Sequence, residues 1–469
     1  MRILAEVTPT PEQLKILANT TPGFTLIRGA AGSGKTTTAL LRLRHQCNYW
    51  TQRRTRLGLA DPVRVLVLTY NRTLEGYIAE LARRQVTGHT GLHLEVSTFG
   101  KWARGLLGAP PVMGHEDTAA SVRRFLKPVV TDLRYFGNEV EYLMGRFETG
   151  RLHEYLDVKR EGRGSTPRVE RPLRERLLNE VVLPYNAEKA ALAQRDWNDV
   201  ALEVAAMSVT GTPKWDIVVV DEAQDFSANQ IRAVLAHLAD PATVTFVIDA
   251  AQRIYPRHFT WKEAGVDSFV NRYSLANNYR NTRQIAAFAR PLVDGLPMED
   301  DGTLPDFTSC TTDGPLPLVV EGNFSGQLDV MLDRLTNTVD FTAESVAFLH
   351  PLGGGWFGYL RDRLRGDGIP FVELSRSSVW PTGPEAVGLC TLASAKGLEF
   401  DHVLMPGLNQ QVTPHGADAG DGQLENLRRL IAMGVGRARR TVALGYKGQD
   451  PSTLVGLLDP TTYEKVVTR

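Results

Sequence analysis

The sequence predicts an α/β fold with buried parallel strands, and three observations support this prediction. A glycine-rich loop at residues 29–36 (GAAGSGKT) lies between a short apolar segment, residues 24–27, and a stretch that favours a helix. A β-branched run at residues 217–220 leads directly into two acids. Residues 109–210, between these elements, have the apolar spacing of helices. Such alternation of strands and helices is typical of parallel sheets flanked by helices.

The glycine-rich loop matches the Walker A pattern G-x-x-x-x-G-K-[ST] at every fixed position. Its glycines allow backbone N–H groups to curl around phosphate oxygens, Lys35 can reach the β- and γ-phosphates, and the Thr36 hydroxyl can ligate Mg²⁺. The alternative is an ordinary turn between a strand and a helix. The flanking elements favour a nucleotide site, whose predicted contacts are Gly29, Gly32, Ser33, Gly34, Lys35, Thr36 and Thr37.

The composition is that of an ordinary globular enzyme, with 42% hydrophobic and 23% charged residues among 469. Cys47, Cys310 and Cys390 are too far apart in the chain for a metal cluster and are interpreted as reduced thiols. No run approaches the roughly 18 apolar residues of a membrane span, and the start lacks the apolar core of a signal segment. We therefore expect a cytoplasmic protein that is not embedded in a membrane.

The charge is balanced, with 53 basic and 53 acidic residues, so it does not by itself indicate a nucleic-acid partner. Arginines are nevertheless concentrated in two stretches, residues 42–56 and residues 160–176. Each stretch is either a solvated face or a surface that contacts phosphates. The sequence leaves that choice open.

A second nucleotide element is predicted at residues 215–226 (WDIVVVDEAQDF). Its β-branched run predicts a buried parallel strand that delivers two acids at its carboxyl end, where open α/β sheets bind ligands. Asp221 is suited to hold Mg²⁺ through water, and Glu222 is suited to activate the water that attacks the γ-phosphate. The alternative, a solvated acidic turn, is disfavoured by the Walker A loop earlier in the chain.

Seven further segments follow a recognisable order along the chain: residues 10–13, 66–74, 96–103, 245–255, 275–282, 391–400 and 427–439. Together with the two nucleotide elements they resemble the motifs of UvrD/Rep-type superfamily 1 DNA helicases, over nearly the whole chain. The resemblance implies two RecA-like P-loop NTPase domains, each a parallel sheet flanked by helices, with a helical insertion in the first. It also implies that ATP and Mg²⁺ are the cofactors.

The resemblance assigns nucleotide contacts beyond the Walker A loop. Gln13 would read the adenine edge, which implies ATP and not GTP, and Tyr279 would stack on adenine. Gly397 and Glu399 would approach the nucleotide from the second domain. The implied catalytic residues are Glu222, Lys35, Gln252 as a γ-phosphate sensor, Arg280 reaching the γ-phosphate, and Arg437 as the arginine finger.

The resemblance also implies contacts to single-stranded DNA. Polar side chains at strand ends would bond phosphates and aromatic rings would stack on bases. Phe259 is an alternative to Trp261 as one of the stacking residues. The implied set is Thr69, Asn71, Arg72, Thr98, Phe99, Tyr255, Trp261 and Thr391.

The chain departs from the family pattern in several places. Ile248 stands where motif III usually opens with glycine, Ala393 lies near the position of a usual histidine, and Gly436 stands where threonine is common. The interval between Arg280 and Thr391 is too short for the large 2B accessory domain of full-length members. In the family that domain regulates unwinding, so the sequence favours translocation over unaided strand separation.

The predicted domains are 1–108 and 211–274 for RecA-like domain 1A, 109–210 for a helical 1B-like insertion, and 275–469 for domain 2A. The predicted function is an ATP-dependent translocase or helicase on single-stranded DNA, with 3′ to 5′ polarity implied by the resemblance. One alternative is a DNA-stimulated ATPase subunit of a bacterial defence or repair complex, with a nuclease or defence protein as partner. The other is a motor directed to RNA.

Overall fold

The structure is a computed structural model that describes residues 9–29, 32–69, 72–87, 91–159, 168–207, 214–249, 259–275, 278, 280–296, 310, 312–374, 380–381, 383–416 and 422–468. Within these residues the chain forms two all-parallel sheets flanked by helices, as the sequence predicts. Each sheet is the centre of a RecA-like domain.

The first domain begins with α1 (Pro11–Leu17), β1 (Gly23–Gly29), α2 (Lys35–Leu57), β2 (Val63–Thr69), α3 (Arg72–Val86), β3 (Leu92–Thr98) and α4 (Phe99–Leu106). Its sheet has the order β3-β2-β4-β5-β1-β6, the last three strands in sequence being described below. In β2, Val65, Leu66, Val67 and Leu68 are completely buried. A near-continuous apolar run of this kind is typical of a strand covered by helices on both faces.

A helical insertion follows α4. It contains α5 (His115–Leu126), α6 (Leu133–Arg146), a 3₁₀ segment (Thr149–Leu156), α7 (Arg171–Arg176), a π-helical turn (Leu177–Val182), α8 (Leu183–Ala191) and α9 (Trp197–Ala206). Tyr142 and Leu143 are buried in the insertion's own core. Although α9 lies within the predicted range 109–210, its Val200 and Val204 pack into the core of the first sheet.

The chain then returns to the first sheet through β4 (Trp215–Val220), α10 (Ala228–Ala236), β5 (Leu238–Asp249) and β6 (Asn271–Leu275). Parallel pairing aligns Gly29 at the end of β1 with Asp249 of β5. The parallel pairing of β2 with β4 aligns Leu68 with Val220, so these two strands end together. The carboxyl ends of the strands therefore meet at one edge of the sheet, where the predicted site residues emerge.

The second domain contains α11 (Arg283–Val293), β7 (Leu318–Glu321), α12 (Phe324–Thr338), β8 (Val346–His350), α13 (Trp356–Gly366), β9 (Phe371–Glu373), β10 (Val387–Thr391), β11 (Phe400–Met405), α14 (Gly422–Val435), β12 (Ala438–Tyr446) and β13 (Glu464–Val467). Its sheet order is β13-β7-β12-β11-β8-β10-β9. Between Arg280 and Thr391, every described strand belongs to this sheet.

An apolar contact joins the two domains. Tyr77 of α3 packs edge-on against Trp380 with ring centroids 4.9 Å apart, and both side chains are buried. Leu74, one turn earlier, lies against Gly397 of the second domain, where a Cβ atom would come within 2.6 Å of Leu74 Cδ1. Gly397 also has φ +81°, so glycine suits both the backbone and the close approach.

Three arginines of the two basic stretches form contacts within the protein. Arg42 is completely buried and donates to Thr245 and Thr25. Arg54 forms an ion pair with Asp216. In the second stretch, the side chain of Arg174 donates to backbone carbonyl groups. None of the helices in the described part of the chain has the length and apolarity needed to cross a bilayer.

Candidate functional site

The glycine-rich loop connects β1 to α2 as predicted, although Ala30 and Ala31 lie outside the described residues. Gly32 and Gly34 have φ +85° and +76°, a left-handed conformation that glycine adopts at little cost. Gly34 caps α2, a helix of 23 residues whose N-terminus directs backbone N–H groups towards the loop. Ser33 is completely buried, and its hydroxyl has no hydrogen-bond partner among the described residues. Among the described residues of the loop, the Ser33 hydroxyl is therefore a donor that a phosphate could use.

Gln13 lies beside this loop. Its side-chain oxygen accepts from the Thr10 N–H at 2.9 Å, which completes the capping box that starts α1. Its Nε2 donates to Thr38 Oγ1 at 2.9 Å, and a Cβ atom on Gly34 would come within 2.8 Å of the same nitrogen. Since an amide has two N–H groups and an oxygen with two lone pairs, one donor and one acceptor position are left for a base edge.

Thr36 and Asp221 form the second part of the site. The Thr36 hydroxyl donates to Asp221 Oδ1 at 3.0 Å, and Asp221 is 2% exposed. Burial, together with the charge of Glu222, raises the pKa of Asp221 to about 7. A hydroxyl and a buried carboxylate are oxygen ligands of the kind that Mg²⁺ takes, so these residues fit the implied metal.

Glu222 adopts an unusual backbone conformation directly after β4. Its φ of +52° and ψ of +40° lie in the left-handed region, which costs a non-glycine residue about 1–3 kcal/mol. Its side chain is buried and accepts a hydrogen bond from Gln224 Nε2. Burial alone would raise the pKa of Glu222, but Lys396, Arg437 and Lys35 outweigh it and lower the pKa. The carboxylate is thus held ionised by cations from both domains.

Lys396 of the second domain crosses to the acids of the first. Its Nζ lies 2.5 Å from Asp225 Oδ2 and 3.5 Å from Glu222 Oε2. Neither Lys396 nor Asp225 was a predicted site residue, although they lie in the motif segments 391–400 and 215–226. The sequence signal that could have identified Lys396 is that it is the basic residue of the segment 393–400 (ASAKGLEF).

The predicted arginines line the second-domain side of the cleft. Arg437 is 3% exposed and its charge acts on Glu222. Arg280 forms an ion pair with Glu399, and its Nη1 donates to the Gly436 carbonyl oxygen at 3.4 Å. The structure therefore brings Arg280, Glu399 and the segment before Arg437 together.

Two family models match ranges of this chain that contain residues of the site. A family model described as an AAA domain matches residues 13–257, and one described as UvrD-like helicase C-terminal domain matches residues 373–449. The first model spans the phosphate loop and both acids, and the second spans Lys396 and Arg437. The chain belongs to the UvrD/Rep-type helicase family.

Individual relatives match over shorter stretches. DNA helicase II of Escherichia coli (strain K12) and that of Salmonella typhimurium (strain LT2) are each 42% identical over 66 residues, which cover 14% of this chain and 9% of the relative. This chain thus aligns with only a small part of their length. A crystal structure of the C-terminal domain of a possible DNA helicase from Lactobacillus strain WCFS1 covers 40% of this chain and 98% of that one, with 23% identity and a TM-score of 0.31.

Two helicase motif residues make protein contacts in this conformation. Gly397, expected near the nucleotide, packs on Leu74 of the first domain. Glu399, expected to approach the nucleotide, holds Arg280. Thr37, a predicted loop contact, is the third residue of α2 and is half-buried.

The expected DNA contacts of the helicase motifs occupy strand ends. Parallel pairing aligns Thr69 of β2 with Thr98 of β3, so the two lie side by side at the sheet edge. Thr98 Oγ1 accepts from the Lys101 N–H and caps α4. Thr391 ends β10 in the second sheet and donates to Ser394 Oγ at 2.9 Å.

Phe99 and Trp261 are less accessible than a role in base stacking predicts. Phe99 is 5% exposed, and its ring packs edge-on against Trp102 and Phe226. It is a core residue in this conformation and not an exposed stacking surface, because α4 directs it towards the first sheet. Trp261 is half-buried against Phe246 and Phe259, with ring centroids 4.7 and 5.8 Å away. Asn71, Gln252, Tyr255, Tyr279 and the side chain of Arg72 lie outside the described residues.

Proposed function

We propose that this chain is an ATP- and Mg²⁺-dependent motor that translocates along single-stranded DNA from 3′ to 5′. One observation carries the proposal: Glu222 of the first domain is surrounded by Lys396 and Arg437 of the second and by Lys35 of the phosphate loop. A site shared in this way links nucleotide chemistry to the relative position of two domains. Family membership supports DNA as the track.

Binding of ATP uses the glycine-rich loop and its neighbours. Backbone N–H groups at the start of α2 and Lys35 would hold the phosphates, and Gln13 would contact the adenine edge with its remaining donor and acceptor. Thr36 and Asp221 would hold Mg²⁺, which supplies charge neutralisation to the phosphates. The raised pKa of Asp221 fits a carboxylate that gains a cation when the nucleotide enters.

Hydrolysis would then depend on groups from both domains. Glu222 is the general base that orients water towards the γ-phosphate, a role that its ionised state at neutral pH supports. Arg437 and Arg280 compensate the negative charge that develops on the transferred phosphoryl group. Since both arginines belong to the second domain, full activity requires the two domains to be in contact, and bound ATP would draw Arg280 from Glu399 to the phosphate.

Movement on DNA would follow from the same closure. Thr69 and Thr98 lie on one sheet and Thr391 on the other, so a strand held by all three would be gripped by both domains. A change in the distance between the domains would move the DNA contact at Thr391 relative to the contacts at Thr69 and Thr98. Contacts to the backbone carry little base information, so we expect weak sequence preference and affinity that falls steeply with salt.

A second candidate is a DNA-stimulated ATPase subunit that unwinds little without a partner such as a nuclease or defence protein. The described residues between Arg280 and Thr391 favour it, because their strands all belong to the second sheet and their helices flank it. The resemblance to UvrD/Rep-type helicases implies that full-length members carry the 2B accessory domain in this interval.

The decisive experiment measures ATP turnover with no nucleic acid, with single-stranded DNA and with single-stranded RNA, using Glu222→Gln as the inactive control. Stimulation by DNA supports the proposal, stimulation by RNA alone redirects the motor to RNA, and stimulation by neither polymer contradicts it. Duplexes with 3′ or 5′ single-stranded overhangs then decide polarity and whether strands separate. Full turnover in Lys35→Ala would contradict the nucleotide site itself.

A further inference from the structure

A lysine from the second domain is buried against two acids of the first. Lys396 Nζ contacts Asp225 Oδ2 at 2.5 Å and lies 3.5 Å from Glu222 Oε2, and the Lys396 and Asp225 side chains are 4% and 0% exposed. A buried ion pair is screened little by salt, and removing one partner leaves an uncompensated charge. This pair can exist only while the two domains are in contact.

The backbone that carries Lys396 is itself fixed by the first domain. Leu74 packs on Gly397 so closely that even a methyl group at position 397 would collide with it. Ala395 and Leu398, which flank Lys396 and Gly397 in the chain, are completely buried. A closely packed contact between the domains therefore brings the ammonium group to Asp225.

Asp225 is joined to Glu222 through the short turn after β4. The Asp225 N–H donates to the Glu222 carbonyl oxygen at 2.9 Å, and Gln224 donates to Glu222 Oε2. The left-handed conformation of Glu222 winds this turn tightly. A cation held by Asp225 consequently lies beside the Glu222 carboxylate and restricts its orientation.

We propose that Lys396 is a positioning residue that couples contact between the two domains to the orientation of Glu222. The inference rests on the proposed ATP hydrolysis. When the domains separate, Lys396 leaves with the second domain and Glu222 loses the cation that orients it. When they close, Asp225 recaptures Lys396 and Glu222 is again aligned as the base. Turnover is thereby conditional on closure.

The test compares kcat and KM for ATP in wild type, Lys396→Met, Asp225→Asn and the double variant, with and without single-stranded DNA. Lys189→Met is the matched control, because Lys189 and Asp196 form a similarly buried pair, 2.6 Å apart, in the helical insertion. We expect Lys396→Met to lower kcat roughly tenfold or more while KM stays within about threefold. Lys396→Arg, which keeps the charge, should recover part of kcat.

Coupling between the two residues is the second criterion. The double variant should lose no more than the more affected single variant, since both substitutions remove the same contact. The proposal is overturned by wild-type kcat in Lys396→Met, by losses that multiply in the double variant, or by an equal loss in Lys189→Met. A wild type without turnover contradicts the proposed function and this role with it. Turnover that DNA does not stimulate contradicts only the motor, and the variants are then compared at the basal rate.

Discussion

The Thr36 hydroxyl lies 3.0 Å from Asp221 Oδ1, although 185 positions separate the two residues in the chain. The parallel sheet explains this proximity. Thr36 follows β1 and Asp221 follows β4, and the pairing of both strands with β5 aligns their carboxyl ends. Burial raises the pKa of Asp221, so a bound cation would stabilise its ionised form.

Replacing the Thr36 hydroxyl should therefore weaken the affinity of the site for Mg²⁺. We expect Thr36→Val to raise the Mg²⁺ concentration for half-maximal ATP turnover about 10- to 100-fold, the range seen when a metal site loses a supporting group. The measurement is an ATPase titration with MgCl₂ at fixed ATP. Thr55→Val, at the exposed end of the same helix, is the control and should leave the midpoint unchanged. An unshifted midpoint in Thr36→Val would remove Thr36 from the metal site.

Glu222 combines a strained backbone with its proposed catalytic role. Both Glu222→Gln and Glu222→Gly should lower kcat by about 10²- to 10⁴-fold, because each removes the general base. Only the glycine variant also relieves the left-handed strain, so it should be more stable than Glu222→Gln by about 1 kcal/mol. Urea unfolding of the two variants measures this difference. Equal stability would show that the surrounding contacts, and not residue 222, determine the turn.

The Gly397 contact can be tested with a matched glycine. Gly397→Ala places a methyl group 2.6 Å from Leu74 Cδ1 at φ +81°, whereas Gly58→Ala, at φ +65°, meets no atom within 4 Å. Both pay the left-handed backbone cost of about 1–2 kcal/mol. We expect only Gly397→Ala to disturb the domain contact as well, with a fall in ATP turnover that Gly58→Ala does not show. Leu74→Ala combined with Gly397→Ala should recover part of the loss, and no recovery would argue against a steric cause.

Much of the fold followed from local patterns. The residues around Thr36 and Asp221 were predictable because a parallel strand with its following loop is a local unit, with apolar runs and turn residues that stand together in the sequence. The helical insertion was also predictable, because residues 109–210 have the apolar spacing of helices. The roles of individual motif residues came from the family resemblance and stay predictions.

Contacts between distant elements were not predictable in this way. Phe99 was expected to stack on a base because residues 96–103 resemble a helicase motif, but Phe226, more than a hundred positions later, covers its ring. The sequence around Lys396 does not indicate that it contacts Asp225, because this contact depends on how the sheets of the two domains are oriented. Gly397 likewise had a packing partner, Leu74, that only the domain contact reveals.

The second sheet contains a histidine whose burial predicts a pH effect on stability. His350 ends β8, is 1% exposed and stacks on Trp356 with ring centroids 4.9 Å apart. Its Nδ1 accepts N–H groups from Leu352 and Gly353 at 3.2 and 3.0 Å, so the neutral ring is the form that fits. Burial lowers the pKa of His350 to about 4.

Because the pKa of an unfolded histidine is about 6.5, the unfolded state binds a proton between that pH and pH 4 that folded His350 does not bind. This stabilising contribution is complete above the unfolded pKa and is lost as the pH falls. We expect the free energy of unfolding to drop by about 2 kcal/mol more between pH 7 and pH 5 in wild type than in His350→Asn. Urea unfolding at both pH values measures the difference. His45→Asn, at an exposed position of α2, should keep the wild-type slope, and the same slope in His350→Asn would assign the pH effect to other groups.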